Sequence, residues 1–145
     1  MLNHIENLFD NMTTMMKKLK KQTYKDNMNM FREKNDPLLK EMADYMEREE
    51  DKDDAAKRIA EVFIDAVQDK YSKHGKVKGR TQADLNFFMI YYVFPSILLT
   101  SSQHGDLIAQ SICRRWGSKF KNSNIGYANY DKIYDSFRSK IFGIF

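Results

Sequence analysis

The chain has 145 residues, the size of one domain, and its 42% apolar content with 10 Phe, 8 Tyr and 1 Trp excludes a wholly disordered protein. Only 6 Gly and 2 Pro exclude collagen-like and low-complexity classes and argue against a turn-rich β-sandwich, so a mostly helical fold is expected. The net charge of +4 is segregated, with −7 over residues 35–69, +5 over residues 70–80 and +5 over residues 113–145, which first suggests complementary faces within a fold or between copies.

Ile5, Leu8, Met12, Met15 and Leu19 alternate spacings of three and four, the stripe of an amphipathic helix, with Phe9 and Met16 widening it. The register fails at Gln22, Asp26 and Asn29, so the stripe is too short for a coiled coil. A second stripe of Tyr24, Met28 and Phe31 starts after a join at Lys20 to Thr23, where Thr23 can cap and Asp26 complements the new N-terminus.

Asn35-Asp36-Pro37 marks another start. Asp36 can accept from orphan amides and Pro37 suits the first helical position, so the next helix, with Leu38, Met42, Tyr45 and Met46 inward, is expected from Pro37. Glu47 to Asp54 holds six acids in eight residues and reads as a solvated turn or junction. From Asp54 to Ser72 the pattern predicts a long helix with Ile59, Val62, Phe63, Ala66 and Val67 on one face, ended by Gly75 as a left-handed terminator.

Lys76 to Arg80 reads as a basic loop, and Thr81-Gln82-Ala83-Asp84 resembles a capping box. The apolar run from Phe87 to Phe94 fits a buried strand or a helix. Helix is the expectation, because the start signal is helical and a lone strand would have no sheet to join. Pro95 should kink or break it, with Ser96 to Thr100 forming a second arm. Asp106 to Trp116 predicts a helix with Leu107, Ile108, Ile112 and Trp116 inward and Gly117 as its stop. Lys119 to Asn129 is loop-like, while Tyr130, Ile133, Tyr134, Phe137 and Ile141 define a last helical face ended by Gly143. The expected fold is all-α: one compact domain, residues 1–145, of six or seven helices around a central aromatic helix kinked at Pro95. Within it residues 1–50 form a Met-rich element that could be peripheral or oligomerising.

Chemistry leaves few marks. The single cysteine, Cys113, excludes an intramolecular disulfide and zinc sites with two or more thiolates, and a buried inert thiol is its plain reading. His4, His74 and His104 stand too far apart for a helical metal pair, and none follows a Glu at the di-iron spacing. Glu41, Asp44 and Glu47, and likewise Glu61, Asp65 and Asp69, read as solvated faces opposite apolar stripes. No catalytic residue, cofactor or metal is assigned, and the function is expected to be non-enzymatic.

Three binding expectations follow. Eight of the nine methionines lie in residues 1–46, and Met12, Met15 and Met16 are expected to meet a protein partner or a second copy of the chain. Phe88, Tyr91, Tyr92 and Trp116 could line a pocket for a small apolar ligand beside the Pro95 kink. Lys73, Lys76, Lys78 and Arg80, together with Arg114, Arg115, Lys119 and Lys121, form two basic clusters suited to nucleic acid or a single anion. Acids Glu6 and Asp10 interrupt any secretory signal. The longest apolar run, residues 87–99, is broken by Pro95 and Ser96 and falls short of the roughly 20 residues of a membrane helix. A soluble cytoplasmic protein with no membrane partner is expected.

Overall fold

The computed structural model describes residues 1–19, 23–67, 72–73, 76–77, 80–81, 87–100 and 104–119, with backbone alone for residues 19, 72–73, 76–77, 80–81, 100 and 116–119. The expected first helix is two, α1 (Leu2–Asp10) and α2 (Met12–Leu19), separated by a turn at Asn11. At the turn the Asn11 side chain joins the Asn11 amide on the Asn7 carbonyl, at 2.9 and 3.1 Å. The stripe survives the break, and Ile5, Leu8, Phe9, Met12, Met15 and Met16 are all buried.

Helix α3 (Tyr24–Lys34) begins as its sequence predicts, with the Thr23 hydroxyl accepting from the Asp26 amide at 3.2 Å. Helix α4 (Asp36–Arg48) carries Pro37 in its first turn, but Asn35 occupies the cap position. Asp36 instead pairs with Lys40 at 3.0 Å, one helical turn on. The acidic stretch is a junction, as expected. The backbone extends at Glu49, Asp51 caps α5 by accepting from the Asp54 amide at 3.0 Å, and Lys52 donates to the carbonyls of Glu47 at 3.3 Å and Glu49 at 2.6 Å. A cation there answers the negative end of α4.

Helix α5 (Lys52–Ala66) runs into a helical Val67, and Ser72, the expected helix end, lies on a strand instead. Three two-residue strands follow, β1 (Ser72–Lys73), β2 (Lys76–Val77) and β3 (Arg80–Thr81), antiparallel in that order, with Lys73 opposite Lys76 and Val77 opposite Arg80. The helix end expected at Ser72 and the loop expected at Lys76 to Arg80 are thereby corrected. β-Branched Val77 and Thr81 favour extended backbone, and Gly75 and Gly79 fall between the strands in the sequence. Ladders this short leave the fold all-α. Gly75 and residues 82–84 of the capping box lie outside the described residues.

The aromatic run is helical, not a strand. Phe87 and Phe88 lead into a π-helical stretch, Met89–Val93, which passes directly into α6 (Phe94–Thr100). Pro95 does not end the helix; the hydrogen bonding shifts ahead of it, and the Phe94 amide reaches back five residues to the Met89 carbonyl. Helix α7 (Gly105–Lys119) packs most extensively on α5 and forms a hairpin with α6. Gly105 makes the hairpin possible, since a Cβ there would stand 2.4 Å from the Ile97 carbonyl oxygen. Gly117 does not stop α7, contrary to expectation; an internal glycine weakens a helix by only about 1 kcal/mol. The face expected over Tyr130 to Ile141 and the loop from Phe120 lie outside the described residues.

The core is a relay of rings. Phe9 of α1 meets Phe63 of α5 and Phe88, each at 6.4 Å between centroids, and Phe31 of α3 meets Phe88 at 5.6 Å and Tyr92 at 6.0 Å. Each edge-on contact adds about 0.5–1.5 kcal/mol to the burial itself. Among the described residues the fold is all-α apart from that short ladder, with the aromatic helix at its centre. Among the described residues no helix is long and apolar enough to cross a membrane.

Candidate functional site

The ring relay reaches the surface. From Phe31 it passes to Tyr92, which lies 6.3 Å from Phe87, and Phe87 stacks on Tyr91 at 4.3 Å with 27° between the rings. Phe87 is 46% and Tyr91 36% exposed, whereas Phe88 and Tyr92 are buried. Phe88 and Tyr92, four residues apart, form an inner column, and Phe87 and Tyr91, likewise one turn apart, an outer one.

Tyr24, at the start of α3, buttresses this ridge. Its ring lies 5.9 Å from Tyr92, and its hydroxyl donates to the Tyr91 main-chain carbonyl at 2.6 Å. Partial burial, then the neighbouring Tyr92 and Tyr91, push the Tyr24 phenol well above the usual tyrosine range, so it stays protonated and donates. Burial also raises Tyr92, against a hydrogen bond with Asn27 that lowers it. Farther along the same helix, Arg32 of α3 donates to the Leu99 carbonyl at 3.3 Å. The exposed rings thus stand on a helix tied to α3 at two points.

The residues expected from sequence are distributed differently. Met12, Met15 and Met16 are 0, 3 and 9% exposed and pack in this chain's own core, so a partner-binding role would require them to leave it. Of the four expected pocket residues, Phe88 and Tyr92 pack against Phe31, Tyr91 faces outward, and the Trp116 side chain lies outside the described set. The structure therefore does not bring Tyr91 into one enclosure with Phe88.

Among the basic residues, the backbones of Lys73, Lys76 and Arg80 lie on the short ladder and Lys119 ends α7. Lys78 and Lys121 are outside the described residues. Arg114 is exposed, while Arg115 pairs with Glu61 of α5 at 2.9 Å, a contact that joins basic and acidic segments within the fold.

Two further features have no counterpart in the sequence reading. Glu41 of α4 receives the Met1 amine and lies 3.4 Å from His4, and Glu47 lies 3.5 Å from His104, so both acids serve as anchors between elements. A groove of about 390 Å³ between α3 and α4 is lined by Asn29, Arg32, Glu33, Asp36, Leu39 and Lys40, with cations and acids in balance. Cys113 is buried, and among the described residues no group of three or more His, Cys, Asp or Glu converges to hold a metal. Comparison of the chain with protein-family models, with curated proteins and with solved structures finds no match in any of the three.

Proposed function

We propose that this chain is a non-enzymatic helical interaction protein that works by self-association, with the Phe87–Tyr91 ridge as its contact. One observation supports the reading above all: two large aromatic side chains are stacked, exposed and held on a braced helix. Rigid aromatics give large contact area for little ordering cost, and tyrosine is enriched among the residues that dominate interface energetics. Acidic and basic segments on one chain supply the complementary charge that a second copy can meet.

Sedimentation velocity over a wide concentration series tests this. The chain should associate with rising concentration, and Phe87→Glu with Tyr91→Glu should hold it monomeric with an unchanged helical circular dichroism spectrum. A wild-type chain that stays monomeric throughout, or a double variant that associates equally well, contradicts the proposal.

A further inference from the structure

Residues 70–80 carry five Lys or Arg and no acid, and the short ladder gathers part of that charge. Lys73 on β1 stands opposite Lys76 on β2, and Arg80 on β3 pairs with Val77, the residue after Lys76. Directly opposed positions of an antiparallel pair lie about 5 Å apart, and like charges placed there repel. The ladder's own sequence has no acid to offset them, and a bound polyanion would.

Six residues after Thr81 the chain reaches Phe87, so the ladder ends within about 22 Å of the aromatic ridge. There Phe87 and Tyr91, both exposed, stack at 4.3 Å on a helix braced by Tyr24. Cations that neutralise phosphates, close to exposed rings on which bases can stack, are the two parts of a sequence-tolerant single-strand site. A duplex keeps its base faces inside its own stack, so the rings favour a single strand.

We infer that the β1–β3 ladder and the Phe87–Tyr91 ridge together form a binding site for single-stranded nucleic acid, with Lys73, Lys76 and Arg80 serving the phosphates and Phe87 and Tyr91 the bases. This goes beyond self-association and does not depend on it: a strand and a second copy would compete for the ridge.

Fluorescence anisotropy of a labelled thymidine oligonucleotide, titrated with the full chain at several salt concentrations, tests the site. The wild-type chain should bind with an affinity that falls as salt rises. Lys73→Gln with Lys76→Gln should reduce the slope of log affinity against log salt by about 1.4, the loss of two phosphate contacts to a single strand. Phe87→Ala should weaken thymidine binding about tenfold and leave binding of an abasic oligonucleotide of equal length unchanged, because only bases meet the ring. Circular dichroism checks that each variant keeps its helices. If Phe87→Ala does not, the wild-type preference for the thymidine over the abasic strand, about tenfold, decides instead. No binding at low salt, or an unchanged salt slope in the lysine variant, overturns the inference. Equal wild-type affinity for the thymidine and abasic strands also overturns it, and marks the ladder as a surface for polyanions in general, acidic proteins included.

Discussion

Helices α1 and α2, the second rich in methionine, and the aromatic central helix present the same kind of signal, a series of apolar side chains, with opposite outcomes. The described side chains of that stripe turn inward, Met12, Met15 and Met16 included, although its composition suits a partner surface. The aromatic run lies at the centre of the fold and yet leaves Phe87 and Tyr91 at the surface. Here the amphipathic stripe is consumed by its own domain, whereas the apolar run, wider than one helical face, leaves part of itself exposed. The excess, not the stripe, marks the place to look for a partner.

The sharpest way to break this comparison is to truncate neighbouring rings. Phe88→Ala should cost about 3–5 kcal/mol in urea unfolding, as a core aromatic does, while Phe87→Ala should stay within about 1 kcal/mol. Similar losses at both positions would erase the distinction between inner and outer columns. Met12→Ala should follow with about 2–5 kcal/mol, and a change near zero would show that the stripe is not core.

Gly105→Ala comes next, at about 1–3 kcal/mol, because its Cβ would press on the Ile97 carbonyl and pry open the α6–α7 hairpin beside the aromatic helix. A smaller effect belongs to Tyr24 and appears as pH dependence. Its folded pKa is raised, so its contribution is complete below the unfolded value near 10 and is lost as pH climbs through the folded value. Tyr24→Phe should therefore flatten the alkaline limb of a stability-against-pH curve, and a limb of unchanged slope would deny its role. The smallest effect is at Arg115→Ala. The exposed pair with Glu61 should yield about 1 kcal/mol or less, diminishing in salt, as read by thermal unfolding.

Local rules carried much of the fold. Thr23 with Asp26, Pro37 in the first turn of α4, and the acidic junction before α5 act through neighbours in the chain, so sequence spacing exposes them. The departures came from competition that spacing does not weigh. Asp36 meets Lys40 instead of a cap, and strand pairing claims Ser72 from the helix pattern.

The ridge was half legible. Tyr91 is singled out by its place in the aromatic run, but Phe87 becomes outward only once the column of Phe88 and Tyr92 is fixed by Phe31 and Phe9. Tyr24 could not be found from sequence, since its partner lies 67 residues away and is a main-chain atom. Glu41 and Glu47 look like any solvated acids until His4 and His104 come near them in space.

The central claim is that the exposed aromatic pair, and not the methionine stripe, makes the protein's contact. Native mass spectrometry of the wild-type chain and of Phe87→Glu, both shown to be folded, tests it most directly. The account predicts a wild-type spectrum containing oligomers of bare chains and a Phe87→Glu spectrum reduced to monomer. Oligomers that persist unchanged in Phe87→Glu, or a wild-type chain that is monomeric at every concentration, would contradict it.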